Sequence, residues 1–278
     1  MNEAYSSGSV VDCGGAAALM DALTDLVVRA GIALLAVDRD VMRVDGKADG
    51  SPVTEADHAA DRIIADGLAR LIPDIPSLSE ERVDLAGSSS HRGSFFLIDP
   101  LDGTKEYAAG RAEFTVNLAL VTNGTPLLGS VGAPALGLIW RGLVGRGAQC
   151  LTISGSSIGT ARPIHTRRIP PPGEPWTAAV SRSHGDARTE AFIDRRPGVV
   201  RQALGSAVKF GRVAEGVVDI YPRLAPTSEW DIAAGHAVVT AAGGKITDAE
   251  GADIHFGTGR KDFIVPEFIA WGDPAAAA

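Results

Sequence analysis

The chain is poor in cysteine and has no long apolar run, and each absence excludes a class of protein. Its 278 residues contain only two cysteines, Cys13 and Cys150, which are too few for a disulfide framework. No window approaches the roughly 20 apolar residues of a membrane-spanning helix. The first residues lack a basic segment followed by an apolar core, so we expect no transmembrane segment and no signal peptide. We expect a cytoplasmic protein and leave peripheral association with a membrane open.

The chain also has fewer positively than negatively charged side chains. Lysine and arginine total 26 residues against 34 aspartates and glutamates, which gives a formal net charge of −8. A surface of this sign argues against nucleic acid as a partner. It does not exclude a small anionic substrate, because bound metal ions can reverse the charge of a site.

The hydrophobic content of 45% is enough for a substantial core. Helical spacing of apolar residues predicts a long helix over 16–37 and a second over 54–72. The run "SFFLI" (94–98) predicts a buried strand, and alternation between 114 and 145 predicts an antiparallel meander. A further helix is predicted to begin near Asp231 and to stop at Gly243 and Gly244. The segment "KITDAEG" (245–251) reads as a final strand and turn.

Changes in composition divide the chain into three parts. Residues 1–15 form a loose N-terminal segment, 16–165 an N-terminal α+β lobe that carries most of the candidate metal ligands, and 176–272 a C-terminal α/β lobe. The proline-rich "IPPPGEP" (169–175) is the predicted boundary between the lobes. This succession favours sheets and helices in stacked layers, with a cleft between the lobes.

The segment "FFLIDPLDGTKEY" (95–107) carries the clearest chemical pattern. A turn at the end of its strand can bring the carboxylates of Asp99 and Asp102 together and leave the Leu101 carbonyl as another oxygen ligand. Ligand sets made only of oxygen suit Mg²⁺ or Ca²⁺ rather than zinc. Gly103 permits close approach of the backbone, and a helix that starts at Thr104 would offer a seat for phosphate.

Each acidic feature also has an ordinary explanation when it is taken alone. Aspartate, proline and glycine are common turn residues. Glu80 and Glu81 fit a solvated pair of charges, and Asp57 and Asp231 fit acids at helix starts. Only the conjunction of these features indicates a site.

Together, the motifs resemble the lithium-sensitive, Mg²⁺-dependent phosphatases of the inositol monophosphatase superfamily. The matching segments are "SPVTEAD" (51–57), "SEE" (79–81), "LIDPLDGT" (97–104) and "EWDIAAGHAVVTAAGG" (229–244). Three others resemble the 3′(2′),5′-bisphosphate nucleotidase branch: "DGTKEY" (102–107), "SRSH" (181–184) and "GSAVKFGRVAEGVVDIYPRLAPTSEWD" (205–231). The closing segment "HFGTGRKDFIVPEFIA" (255–270) also resembles that branch, although Val265 stands where the branch often has an asparagine before the proline. The segment before Ala16 has no counterpart.

The resemblance implies an α+β fold, the layered α-β-α-β-α sandwich of the inositol monophosphatase and fructose-1,6-bisphosphatase type. It implies metal ligation by Glu80, Asp99, Leu101 (through its carbonyl), Asp102 and Asp231. The implied cofactor is Mg²⁺, as two or three ions, with Li⁺ as an inhibitor and Ca²⁺ as a competitor. The implied catalytic residues are Asp57, Thr104 and Glu80, of which Thr104 and Asp57 orient and deprotonate the attacking water. The implied substrate contacts are Gly103, Thr104, Ser181, His184, Gly205, Ser206, Lys209 and Asp231.

A second phosphate on the substrate needs basic or hydrogen-bonding partners away from the metals. The C-terminal lobe offers Lys209, Arg212, Arg223, Ser181 and His184. A lysine or arginine on a helix is usually a solvated charge, and among these cations we favour Lys209 over the two arginines. His236, within an apolar helix, is interpreted as structural.

The activity implied is removal of the 3′-phosphate from adenosine 3′,5′-bisphosphate, which gives AMP and phosphate. The sulfated analogue, 3′-phosphoadenosine 5′-phosphosulfate, is a second candidate substrate and suggests a link with sulfur assimilation. The alternatives are an inositol monophosphatase, a broad sugar-phosphate phosphatase, or a non-catalytic nucleotide- or metal-binding relative, because fold alone does not determine function. The expected partner is the small nucleotide, and a homodimer is an open option.

Overall fold

The computed structural model describes residues 13–37, 44–46, 52–82, 93–183, 185–196 and 198–277. Its α-helices are α1 (Cys13–Ala36), α2 (Glu55–Leu71), α3 (Thr104–Ala108), α4 (Ala187–Asp194), α5 (Val208–Ala214) and α6 (Glu229–Ala241). Short 3₁₀ turns cover Glu80–Arg82, Pro134–Leu136, Lys261–Phe263 and Pro274–Ala277. In this part of the chain, none of the helices has the length and apolarity needed to cross a membrane.

The described part of the chain contains 17 strands. They are β1 (Val44–Gly46), β2 (Pro52–Thr54), β3 (Ser77–Ser79), β4 (Ser94–Asp102), β5 (Thr115–Thr122), β6 (Thr125–Ala133), β7 (Leu138–Leu143), β8 (Gly147–Ser154), β9 (Ser157–Ile158), β10 (Arg162–Ile164), β11 (Thr177–Ser181), β12 (Val200–Leu204), β13 (Ile220–Arg223), β14 (Thr227–Ser228), β15 (Lys245–Thr247), β16 (Ile264–Val265) and β17 (Phe268–Trp271).

The first large sheet has the order β10-β8-β7-β6-β5-β4-β3, with β9 paired to β8. Strands β4 to β8 form an antiparallel meander, of which β5 to β7 were predicted, and β3 runs parallel to β4. The hairpin between β5 and β6 turns at Asn123 and Gly124, whose φ angles are 49° and 78°. Two successive positive φ angles match the twist of a two-residue hairpin, and Asn-Gly adopts them readily.

The second large sheet has the order β12-β11-β13-β17-β15. Strand β11 is parallel to β12 and β13, whereas β17 is antiparallel to both of its neighbours. The expectation that "KITDAEG" forms the last strand was therefore wrong. The apolar run Phe268–Trp271 enters between β13 and β15, where all four of its residues are buried, and this burial offsets the cost of ordering the chain end.

Helices and sheets alternate in five layers, which confirms the α-β-α-β-α sandwich. Helices α1 and α2 cover one face of the first sheet, α6 and α5 lie between the sheets, and α4 covers the outer face of the second. Helix α6 approaches β6 so closely that a Cβ at Gly129 would lie 2.3 Å from the Ala234 carbonyl oxygen. A glycine is needed there, because any side chain would displace the helix that carries Asp231.

Residues 165–176 connect the last strand of the first sheet with the first strand of the second. Arg167 in this connection forms two hydrogen bonds, of 2.6 and 2.7 Å, with the buried carboxylate of Asp219. Asp219 also accepts the backbone N–H of Thr177 at 2.6 Å. These bonds tie the connection to the start of β11.

Candidate active site

Both halves of the chain line one cleft of about 330 Å³. Ten of the residues that the sequence predicts for the site lie on it: Glu80, Asp99, Leu101, Asp102, Gly103, Thr104, Ser181, Ser206, Lys209 and Asp231. The structure adds others that the sequence did not single out, including Glu106, Tyr221 and Thr227, and it places Arg223 on the same surface. The cleft therefore joins acidic side chains with three cationic ones, Lys105, Lys209 and Arg223.

The end of β4 brings its two aspartates to the same cleft. The ladder with β5 is regular up to Asp99 and shifts register before Asp102. In a regular strand, residues three apart point to opposite faces, but an irregularity that includes Pro100, which has no N–H, re-aims the chain. The backbone N–H of Leu101 then donates to Asp99 Oδ1 at 3.1 Å. An irregularity within β4, rather than the predicted turn between the two aspartates, thus brings both carboxylates to the cleft.

Three carboxylates converge to form an acid cluster that consists of Glu80, Asp99 and Asp231. One oxygen from each lies within 4.8 Å of the others. Glu80 directly follows β3, whose parallel pairing with β4 places it beside Asp99, while Asp231 comes from α6. An oxygen-only set with Asp99 buried is chemically suited to a hard divalent cation, since unneutralised acids at this spacing would repel one another.

Helix α6 fixes the orientation of Asp231. Its Oδ2 accepts the backbone N–H of Ser228 at 3.1 Å and the hydroxyl of Thr227. Ser228 is the N-cap, which explains why the helix begins at Glu229, slightly before the predicted start.

Asp102 lies next to the acid cluster but in a different electrostatic setting. Burial raises the pKa of its carboxyl to about 6, and the charge of Asp231 adds to this shift. The charges of Lys209 and Arg223 oppose the rise. The hydroxyl of Thr115, its partner on β5, lies 3.4 Å from Asp102 Oδ2.

Gly103 and Thr104 open α3 at the floor of the site. Gly103 has φ 90°, and a Cβ there would lie 2.1 Å from Ser206 Oγ, so only glycine fits. The Thr104 hydroxyl donates to the Leu101 carbonyl at 3.2 Å. Asp57 is in the first turn of α2 with 2% of its surface exposed, and it is not one of the described side chains that line the cleft. Helix α3 packs beside β2, which leads directly into α2.

Lys209 enters the cleft from α5 as a buried cation, with 2% of its surface exposed. Its Nζ donates to the Leu204 carbonyl at 3.3 Å and lies 5.1 Å from the centre of the Tyr221 ring. Burial lowers the pKa of Lys209 to about 8, and the nearby charge of Asp102 opposes that shift.

The other predicted substrate contacts have different surroundings. Ser206 Oγ lies 2.9 Å from the Asp102 carbonyl oxygen, and the Gly205 N–H donates to Glu113 at 2.9 Å. Gly205 itself is not among the described residues that line the cleft. Ser181 ends β11 on the cleft. His184 lies outside the described residues.

Two residues on the cleft were missed or misjudged from sequence. The sequence ranks Arg223 below Lys209 as a candidate partner of phosphate, yet Arg223 lines the cleft, and its Nε is buried without a hydrogen-bond partner among the described residues. Glu106 is a buried acid that accepts the Ser183 hydroxyl. The signal for Arg223 was its place at the end of a strand, shortly before the Asp231 helix. Arg212, by contrast, pairs with Glu215 at 2.7 Å.

His236 lies on α6 inside the core, in agreement with its interpretation as structural. Burial lowers the pKa of its imidazole to about 4. Its ring meets Phe256 edge-on at 5.6 Å, and Nδ1 lies 3.5 Å from the Thr240 hydroxyl.

Comparison with known proteins identifies the family. Residues 17–277 match the profile described as "Inositol monophosphatase family". The 3′(2′),5′-bisphosphate nucleotidase CysQ of Escherichia coli (strain K12) is 39% identical over 252 residues, covering 90% of this chain and 98% of that relative. The histidinol-phosphatase of Mycobacterium tuberculosis is 37% identical over 216 residues, covering 76% and 79%.

Solved structures agree. The crystal structure of CysQ from Bacteroides thetaiotaomicron superposes with a TM-score of 0.74 at 29% identity, covering 91% of this chain and 97% of the other. The family is metal-dependent, and the acid cluster is a group of side chains that could hold a metal. As the motifs predicted, the chain belongs to the inositol monophosphatase family.

Proposed function

We propose that this protein is a Mg²⁺-dependent phosphatase that removes the 3′-phosphate of adenosine 3′,5′-bisphosphate and releases AMP. The observation that carries the proposal is a cleft with an acid cluster and, on the same surface, the cations Lys209 and Arg223. The 39% identity with the nucleotidase CysQ supports the same reading. The related 3′-phosphoadenosine 5′-phosphosulfate is a second proposed substrate, which would place the enzyme in sulfur assimilation.

Glu80, Asp99 and Asp231 would hold the metal, together with Asp102 and the Leu101 carbonyl. A divalent cation bound there supplies charge neutralisation and lowers the pKa of bound water. Mg²⁺ is the proposed ion because every donor is an oxygen. Two or three ions, inhibition by Li⁺ and competition by Ca²⁺ belong to the same proposal.

The protein's own groups would orient the reaction. We assign Thr104 and Asp57 to align the attacking water and to accept its proton, with Glu80 beside them. Attack is direct and in line, without a phosphoenzyme. General-base assistance of this kind is typically worth about 10²–10⁴-fold.

The part of the nucleotide that does not react would bind the cationic side of the cleft. Arg223 has a buried Nε–H without a partner in the described part of the chain, and the Lys209 ammonium has three donors, one of which meets Leu204. Both suit a phosphate, with Ser181, Ser206 and His184 as further contacts. Such remote contacts raise kcat/KM by holding the reacting phosphate in line.

The test is a comparison of kcat/KM for adenosine 3′,5′-bisphosphate, inositol 1-phosphate, histidinol phosphate and p-nitrophenyl phosphate. We expect kcat/KM for the nucleotide to exceed that for inositol 1-phosphate and for histidinol phosphate by at least about 100-fold, because two charge-assisted contacts are worth roughly 1.5–3 kcal/mol each. Arg223→Met should remove most of this preference and spare p-nitrophenyl phosphate. Arg212→Met is the matched control, because Arg212 pairs with Glu215 and does not line the cleft.

Two outcomes would replace the proposal. If inositol 1-phosphate or histidinol phosphate is hydrolysed as well as the nucleotide, and Arg223→Met affects all substrates equally, the enzyme is a broad phosphatase. If no ester turns over with Mg²⁺ present, the chain is a non-catalytic relative.

We further propose a lobe organisation of 16–165 and 176–272 after the segment 1–15, a homodimer, and a cytoplasmic location. The low cysteine count supports the location. Light scattering on the purified chain tests the dimer, and limited proteolysis near 169–175 tests the boundary.

A further inference from the structure

Asn117 on β5 is a buried amide without hydrogen bonds. None of its surface is exposed, and neither Oδ1 nor Nδ2 has a partner among the described residues. Leaving a buried polar group unsatisfied costs about 1–3 kcal/mol. Such groups are uncommon in native proteins and need an explanation.

The strand register places Asn117 beside a proposed metal ligand. Asn117 pairs directly with Asp99 across β4 and β5. Residues directly opposite in an antiparallel ladder share one face, with Cβ atoms about 4.5–5.5 Å apart. Asp99 belongs to the acid cluster, so the amide lies immediately behind that cluster.

Most of the other neighbours of Asn117 are apolar. Its partner on β6 is Val131, and one neighbour along the same face of β5 is Ala119, both fully buried. The other same-face neighbour, Thr115, already donates its hydroxyl to Asp102. Helix α6 covers this face, with Ala234 in close approach to Gly129. Asp99 is the acidic group that the ladder places directly opposite the amide.

The same ladder repeats the arrangement one step further on. Asp102 pairs with Thr115, and there the polar residue of β5 does contact the acid of β4, at 3.4 Å. Two successive pairs thus set an acid on β4 against a hydrogen-bond donor on β5. The Thr115 hydroxyl donates to Asp102, whereas the Asn117 amide has no hydrogen-bond partner among the described residues.

We propose that Asn117 is a positioning residue of the metal centre, whose amide N–H hydrogen-bonds the Asp99 carboxylate, directly or through one water, and holds it in the orientation that a divalent cation requires. Leu101 N–H already fixes Asp99 Oδ1, and a second donor would immobilise the carboxylate. The inference rests on the metal-binding part of the proposed function and is independent of the substrate.

The test measures binding of Mg²⁺ alone, by titration calorimetry on the metal-free full-length chain, with thermal unfolding recorded alongside. Asn117→Leu keeps the branched shape and the number of heavy atoms and removes both polar atoms. We expect Mg²⁺ affinity to fall by about 10–100-fold, as for other residues that orient metal ligands. We expect the metal-free protein to unfold at the same or a higher temperature, because an unsatisfied polar group has been replaced by an apolar one.

Ser130→Ala is the matched control. Ser130 on β6 is equally buried and its hydroxyl also lacks a partner among the described residues, but it pairs with Leu118 on the opposite face of the sheet. Its substitution should leave Mg²⁺ affinity unchanged. If the role of Asn117 were purely structural, Asn117→Leu would likewise leave Mg²⁺ affinity unchanged. An Asn117→Leu protein with Mg²⁺ affinity within twofold of wild type therefore overturns the proposal.

A second pair of variants keeps the test decisive if Asn117→Leu does not fold. Asn117→Ser and Asn117→Ala differ by one hydroxyl, so we expect the serine variant to bind Mg²⁺ more tightly. Equal affinities in the two would show that the donor is irrelevant. Since no phosphate ester is present, these results stand even if the nucleotide proves to be the wrong substrate.

Discussion

The Ser183 hydroxyl donates a hydrogen bond to the buried carboxylate of Glu106. This contact connects the loop after β11, in the second half of the chain, to α3 in the first half. Glu106 packs against Gly103 and Gly205, and a Cβ on either would lie 3.4 Å from it. The loop that it holds begins at Ser181, on the cleft.

Ser183→Ala should therefore loosen the nucleotide end of the cleft. A hydrogen bond to a charged group is worth about 1.5–3 kcal/mol, so we expect KM for adenosine 3′,5′-bisphosphate to rise about tenfold, with kcat little changed. Steady-state kinetics with p-nitrophenyl phosphate should show no comparable loss. Ser157→Ala, at an exposed serine on β9, is the control, and an equal loss for both substrates would contradict the role assigned to the contact.

Asp102→Asn should separate stability from activity. Burial and Asp231 raise the pKa of Asp102 to about 6, so the group stabilises the fold fully below its ordinary value near 3.8 and progressively less as the pH rises to 6. A neutral asparagine avoids that loss, so the metal-free variant should gain stability at pH 7. We expect about 1–2 kcal/mol, which is less than the full pKa shift implies because the residue is partly exposed. Turnover with Mg²⁺ should be abolished. Urea unfolding and a Mg²⁺ titration of activity test the two halves; wild-type turnover would refute the assignment.

Thr104→Ala should lower kcat far more than it weakens Mg²⁺ binding, because its hydroxyl is assigned to water rather than metal. Asp57→Asn should act on the same step. The double mutant should then be little slower than the slower single mutant, as for groups that work as a unit. Fully additive losses in kcat would assign Asp57 to the helix start alone.

The sequence predicted best what local patterns determine. The apolar run before Asp99 specifies a strand, the residues around Pro100 specify its irregular end, and the spacing of apolar residues specifies α1 and α2. The acids of the cluster lie within such motifs, so they could be named without a structure.

Tertiary contacts determine the rest, for which the sequence carries only weak local signals. Arg223 resembles any arginine at a strand end until the fold places its Nε in a buried position on the cleft. Asn117 fits the alternation of β5 as well as a valine would, and only its pairing with Asp99 indicates a role beside the acid cluster. The position of β17 inside the second sheet likewise depends on partners that are distant in sequence.

His236 should make the fold sensitive to mild acid. Burial lowers its pKa to about 4, against 6.5 ordinarily, and the charge of Asp253 only partly opposes this shift. The unfolded chain binds a proton first, so the stability from neutral His236 is complete above pH 6.5 and is lost as the pH falls towards 4. Between pH 7.5 and 5 the loss from this group is about 2 kcal/mol.

His236→Gln should remove that part of the pH dependence, because glutamine does not titrate. The measurement is the free energy of urea unfolding at pH 7.5 and at pH 5, compared between wild type and variant. His165→Gln, at an exposed histidine, should retain the wild-type slope. If His236→Gln loses as much stability as wild type over the same interval, its imidazole accepts a proton in the folded core, and another buried group must account for the sensitivity to acid.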